Sequence, residues 1–231
     1  MPKFEKDLGW YFPDIEAHLQ GWMRTMKQVL PNNRIGYQLH KYEAVKKFCS
    51  KKRKAVDIGS HIGLWAYPMS FDFEEVICFE PMPDHQECWN LNMSDVYNVS
   101  LIKCALGAEE KYNVAIRTRT VDSSGDTGIE LEAKTGDILT DMKTLDSFNL
   151  QDIDFIKCDC EGFELYVMQG AKETIERCKP VICIEQKPNH ETGVEDRYNI
   201  KFDEAINYLQ SLGMTKLGSM QGDYFMVFRG L

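Results

Sequence analysis

Four short apolar runs set the rhythm of the chain: Ala55-Val56-Asp57-Ile58, Val76-Ile77-Cys78-Phe79, Ile153 to Cys158, and Val181-Ile182-Cys183-Ile184. Each is almost continuously apolar, as a parallel strand buried on both faces must be. Asn98 to Ala105 is a fifth, weaker strand run. Helix-like stretches separate them, so the pattern predicts an α/β fold with a mostly parallel sheet and helices on both faces. Phe202 to Leu212 is amphipathic and stops at Gly213. Met214 to Leu217 and Tyr224 to Phe228 then close the chain as a hairpin around Gly222-Asp223, which adds one antiparallel strand.

Two regions depart from this rhythm. In residues 1 to about 50, Trp10, Tyr11, Ile15, Leu19, Trp22 and Met23 recur at three- and four-residue steps, with Pro13 near a helix start. Pro31-Asn32-Asn33 breaks the segment, and Tyr37 to Cys49 reads as a second helix. This helical N-terminal extension is expected to pack its aromatic stripe onto the core. Residues 107 to 140 alternate instead, over Tyr112 to Arg119 and Ile129 to Ala133, and predict an inserted β-ribbon. Between those strands lie Ser123, Ser124, Asp126 and Thr127, expected to turn the chain rather than reach a ligand. No linker or repeat interrupts the pattern. A single domain over 1–231 is expected, with 1–50 as the extension and 54–231 as the core.

The totals narrow the partners. A 231-residue chain with 43% hydrophobic residues can bury one sizeable core. A net charge of −9 argues against a broad nucleic-acid footprint. The eight cysteines show no disulfide or zinc framework and read as reduced thiols. Neither a signal-peptide pattern nor an apolar membrane span is present, so a soluble, cytoplasmic protein without a membrane partner is expected.

The chemistry gathers at the strand ends. Glu80, Asp159 and Glu185 each close an apolar run, and Asp57 stands next to the end of another. In open α/β sheets the carboxyl ends of the strands form the ligand crevice. Gly59 and Gly63 frame a Gly-x-x-x-Gly turn after the first run. A pyrophosphate would want Gly-x-Gly-x-x-Gly, and the Asp57 carboxylate would repel it. A ligand with a positive amino group and no phosphate suits better, and S-adenosylmethionine has that shape, with Glu80 placed for its ribose. On its own the turn also fits other α/β proteins.

Three blocks together resemble the FkbM-type family of S-adenosylmethionine-dependent methyltransferases: Val56-Asp-Ile-Gly-Ser-His-Ile-Gly, Phe79-Glu-Pro, and Ile153-Asp-Phe-Ile-Lys-Cys-Asp-Cys-Glu-Gly-Phe-Glu-Leu. Leu145-Asp146, Gly170-Ala171 and Lys179-Pro-Val-Ile-Cys-Ile-Glu185 fit as well, so the likeness runs over roughly residues 54 to 186. The family usually has Ala-Asn where this chain has Ser60-His61. The resemblance implies a seven-stranded Rossmann-like sheet with the last strand antiparallel, and methylation of hydroxyl oxygens on small molecules or saccharides. It implies that Asp57, Gly59 and Gly63 hold the methionine end of the cofactor, with Ser60 and His61 among the cofactor-binding residues. Glu80 would hold the ribose hydroxyls with Pro81 also at the cofactor, and Cys104, Ala105 and Leu106 would flank the adenine. Asp159 and Glu161 would lie beside the sulfonium and acceptor.

An alcohol must lose its proton to attack a methyl group, and a carboxylate or imidazole in hydrogen-bond reach can take it. The candidates are Asp159 first, then Glu161 and Glu185, with His61 and His190 behind. Asp159 and Glu161 alone are a thin ligand set for a divalent ion, so no metal is expected. Three other readings stay open: N-methylation, methylation of a macromolecule, and a non-catalytic S-adenosylmethionine-binding module. No Asn-Pro-Pro-Tyr-type tetrapeptide supports the first.

Overall fold

The computed structural model describes residues 4–188 and 193–229. The N-terminal segment opens with a hairpin of β1 (Phe4–Asp7) and β2 (Trp10–Pro13). Then come α1 (His18–Met23), the short pair β3 (Val29–Leu30) and β4 (Arg34–Ile35), and α2 (Leu39–Val45). The expected helix across Trp10 and Pro13 is therefore a strand, and Pro13 ends it. Trp10 and Phe12 are fully buried while Tyr11 between them is not, a period of two that outweighs the three- and four-residue steps.

The core follows as β5 (Lys54–Ile58), α3 (Ala66–Met69), β6 (Glu75–Phe79), α4 (Pro83–Asn92) and β7 (Val99–Ile102). The inserted ribbon comprises β8 (Ala105–Leu106), β9 (Lys111–Thr120), β10 (Ser123–Glu130) and β11 (Ile138–Lys143), in the order β10-β9-β11-β8. The core resumes with β12 (Ile153–Cys158), α5 (Glu164–Gln169), α6 (Lys172–Cys178) and β13 (Val181–Glu185). A helix at Glu204–Ser211 leads into β14 (Met214–Met220) and β15 (Asp223–Phe228).

The main sheet has seven strands in the order β14-β15-β13-β12-β5-β6-β7. Five of them, from β13 to β7, are parallel, and β15, the last strand of the chain, is antiparallel to both its neighbours. This is the expected Rossmann-like sheet. Its strands alternate between two cores. Val56, Ile58, Ile156 and Ile184 pack on one face, and Ala55, Val76, Phe155 and Cys183 pack on the other. Each such fully buried aliphatic contributes about 1.5–3 kcal/mol. Asp146 explains the Leu145-Asp146 pair. Its carboxylate accepts the N–H groups of Glu173 (3.0 Å) and Thr174 (2.8 Å) at the start of α6. Asp84, by contrast, sits inside the first turn of α4 and does not cap it.

All eight cysteines are free thiols. Among the described residues, no helix is long and apolar enough to cross a membrane.

Candidate active site

Strand order β12-β5-β6 brings three carboxyl ends side by side, and backbone hydrogen bonds tie them together. Gly59 and Ser60 donate to the Phe79 carbonyl (3.0 and 3.1 Å), and Asp159 donates to the Ile58 carbonyl (3.0 Å). Above these ends lies a cavity of about 610 Å³, within the range that holds small ligands. Asp57, Gly59, Ser60, His61, Glu80, Pro81, Cys104, Ala105, Asp159, Glu161 and Glu185 all line it.

Gly63 does not line the cavity. Its φ is +93°, and a Cβ there would meet Met93 Cε at 2.3 Å, so it serves the packing of the turn against α4. Gly59 does line it, with φ +75° and no room for a side chain: a Cβ would fall 1.9 Å from the Asp159 carbonyl oxygen. Left-handed backbone costs a substituted residue about 1–2 kcal/mol before any clash. Gly59→Ala is therefore expected to lower the melting temperature by at least ~4 °C in thermal denaturation.

Asp57 is buried and accepts the Ser60 hydroxyl at 2.9 Å. Burial pushes its carboxyl up to about 7, against the pull of Ser60 and Lys157. Glu80 accepts the His61 N–H at 2.8 Å on Oε2, and the Met82 N–H (2.9 Å) and His85 Nδ1 (3.1 Å) on Oε1. These bonds fix its carboxylate facing the cavity. They leave one acceptor position on Oε2, since a carboxylate has about four lone-pair sites.

The Asp-x-Glu-Gly-x-Glu block folds into a tight turn after β12. Glu161 and Gly162 both have positive φ, +51° and +99°. Glu164 turns away from the cavity and accepts the N–H groups of Cys160 (2.8 Å) and Gly162 (3.1 Å), so the third acid of the block holds the turn. The other two acids face Glu185: Asp159, Glu161 and Glu185 offer one oxygen each within 4.8 Å of one another. Two of the three are already paired. Lys157 Nζ lies 3.2 Å from Asp159, and Lys187 Nζ lies 2.8 Å from Glu185. Three carboxylates could ligate a divalent ion, but these two ammonium groups compete for the same oxygens. Among the described residues Glu161 makes no hydrogen bond or ion pair, and burial with the nearby Asp159 charge pushes it up to about 8 against the pull of Lys187. Burial and the Asp159 charge also raise Glu185.

Several lining residues escaped the sequence reading. Lys157 sits fully buried in β12 and also pairs with Asp223 at 2.5 Å. A lysine in a strand this apolar is itself a signal, because a buried ammonium needs a partner. Tyr37 stacks edge-on against Trp22 at 5.4 Å, and its phenol is raised by burial and by Asp159 and Glu185. Ser123, Asp126 and Thr127, expected only to turn the chain, lie in β10 and line the cavity with Ile116 and Ile129. With Leu19 and Trp22 of α1 they roof it. His190 lies outside the described residues.

Residues 57–215 match the family model described as "Methyltransferase FkbM domain". No curated protein matches the chain. Among solved structures, the chain is similar to methyltransferase FkbM from Methylobacillus flagellatus, at 20% identity and a TM-score of 0.49. That match covers 77% of this chain and 43% of the other, so this chain spans less than half the length of that protein. It is also similar to precorrin-6y C5,15-methyltransferase from Geobacter metallireducens, at 12% identity and a TM-score of 0.46 over 88% of this chain and 90% of that one. A third likeness is to Aeropyrum pernix fibrillarin, crystallised with natively bound S-adenosyl-L-methionine, at 11% identity and a TM-score of 0.48 over 82% and 73% of the two chains.

Proposed function

The chain belongs to the FkbM methyltransferase family, and from that premise we propose that it transfers the methyl group of S-adenosylmethionine to a hydroxyl oxygen of a small molecule or saccharide. One observation carries the reading: a glycine turn and the carboxylate-bearing ends of four parallel strands meet in one cavity.

The residues fit the cofactor. Gly59 lets the turn pack against the Asp159 backbone while lining the cavity, and Glu80 keeps an acceptor position open for a ribose hydroxyl. Cys104, Ala105 and Leu106 offer an apolar wall for a purine, and Ile116 and Ile129 of the ribbon line the same cavity. When bound, S-adenosylmethionine supplies an electrophilic methyl carbon on a cationic sulfur. The chain's own work is to hold the acceptor oxygen in line and to take its proton. Lys157 and Lys187 match the charges of Asp159 and Glu185, and a sulfonium bound beside Glu161 would favour its ionised form. Among the described residues Glu161 is the one of the three with no ion-paired ammonium group, so we assign it the proton. This reverses the order read from the sequence, where Asp159 came first; Asp159 is engaged by Lys157.

Two measurements test the proposal. Calorimetry should show S-adenosylmethionine and S-adenosylhomocysteine binding to the wild type, weakened at least ~10-fold by Asp57→Ala or Glu80→Ala, the loss of a hydrogen bond to a charged group. Unchanged affinity in both variants removes the site. Transfer of labelled methyl to a panel of saccharide and polyketide-like alcohols should then find the acceptor. Transfer only to amines would replace oxygen by nitrogen as the nucleophile.

A further inference from the structure

Three residues far apart in sequence meet at the rim of the glycine turn. Ser124 of β10 places its Oγ 2.8 Å from His61 Nε2 and 2.7 Å from Glu16 Oε2. Glu16 is buried, and its other partners are also donors: the Ser124 N–H at 2.7 Å and the Leu19 N–H at 2.6 Å. The neighbouring ribbon turn is tied to the same segment, because the Asp122 carbonyl accepts the N–H groups of Ala17 and His18, both at 3.0 Å.

Proton counting settles how this chain is wired. A serine hydroxyl has one hydrogen, and a carboxylate can only accept. The Ser124 hydrogen therefore goes to Glu16, and His61 must donate to Ser124 Oγ through Nε2–H. The imidazole is neutral, since burial and the adjacent His85 hold its pKa well below the ordinary value. Its Nδ1 is then a lone-pair acceptor, it has no partner among the described residues, and the ring lines the cavity. The facing His85, with ring centroids 4.1 Å apart, is wired the other way, with Nδ1–H donating to the acceptor Glu80.

A ribose brings two vicinal hydroxyl donors to Glu80. Glu80 has about four lone-pair sites and three are taken by His61, Met82 and His85, which leaves one. The second hydroxyl needs another acceptor beside it, and His61 gives its own N–H to the same Glu80 oxygen that stays open. Building on the function proposed above, we propose that His61 Nδ1 accepts a hydrogen bond from the second ribose hydroxyl of the bound nucleoside. Ser124 and Glu16 are positioning residues that hold His61 in the Nε2–H form. The roof and the N-terminal segment thereby read the occupancy of the nucleoside site directly.

The test uses the full chain, ring-labelled with ¹⁵N at its five histidines, and S-adenosylhomocysteine as the probe. The His61 resonances, assigned by their loss in His61→Asn, should show the Nε2–H tautomer in the free protein. Saturation with the probe should move the Nδ1 resonance upfield. By calorimetry, Ser124→Ala should bind the probe about 3- to 10-fold more weakly, the value of one hydrogen bond, and its His61 should lose the single-tautomer signature. An Nδ1–H tautomer in the wild type, an Nδ1 resonance unmoved at saturation, or Ser124→Ala affinity within twofold of wild type each overturns the assignment while leaving the methyltransferase reading standing. Failure of the wild type to bind the probe or S-adenosylmethionine overturns both.

Discussion

The Asp223→Ala variant is expected to lose about 3–5 kcal/mol of folding stability, the cost of breaking a buried ion pair from one side. Asp223 is fully buried at the start of β15. It is paired with Lys157 of β12 at 2.5 Å and with Lys41 of α2, itself almost fully buried. Removing the carboxylate leaves the buried Lys41 without an ion pair, with only the Gln221 carbonyl at 3.2 Å, and leaves Lys157 with Asp159 alone. Adding Lys41→Met to the variant should recover part of the loss, because it deletes one orphaned charge. Denaturant melts of the three proteins check this, and equal stability of Asp223→Ala and wild type would refute it. The pH dependence has a definite sign. Burial works to raise the Asp223 carboxyl, Lys157 and Lys41 outweigh it, and the net shift is downward from 3.8. The pair's contribution is therefore present above about pH 4 and is lost as pH falls through the depressed value, so acid unfolding should be steeper in the wild type than in the variant.

That ion pair also marks where the sequence stops being readable. The strands β5, β6, β12 and β13 were legible because burial on both faces forces near-continuous apolar runs, and their carboxylate tips fall at one sheet edge by parallel pairing alone. Asp159 and Glu185 follow from that geometry, whereas Glu161, beyond the strand end, is reached only through the resemblance of the Asp-x-Glu-Gly-x-Glu block. Lys157 was hidden because its meaning depends on Asp223, 66 positions away. The same holds for Ser124, which a local reading assigns to a turn. Only the fold brings it to Glu16 and His61, 108 and 63 positions distant. The N-terminal segment misled for a different reason. Trp10, Tyr11, Ile15, Leu19, Trp22 and Met23 recur at helical steps, but Trp10 and Phe12 alternate across a hairpin, and short segments allow both periods. The left-handed backbone at His61 and Glu161 is likewise unmarked, since both positions carry ordinary side chains where glycine would have announced a turn.

Glu161→Gln is expected to lower turnover by about 10²- to 10⁴-fold, the usual worth of a positioned general base, with S-adenosylhomocysteine affinity within about threefold of wild type. The glutamine keeps the shape of the side chain and cannot take a proton. Glu161 is the strongest candidate because Lys157 and Lys187 already occupy the other two carboxylates. The pH profile supplies a second, independent readout. Burial and the charge of Asp159 lift the Glu161 carboxyl to about 8 in the free protein. A base acts in its ionised form, so kcat/KM for the cofactor should rise with pH and level off above about 8. A sulfonium in the same cavity favours the carboxylate, so the corresponding limb in kcat should lie lower. Glu161→Gln should show neither limb. Its stability should change in the opposite sense to its activity. The wild type holds a proton on Glu161 more tightly when folded, so this group's contribution fades as pH rises from about 4.5 through about 8. At pH 9 the glutamine variant should therefore melt above the wild type. If Asp159→Asn abolishes turnover while Glu161→Gln retains it, the proton goes to Asp159 instead.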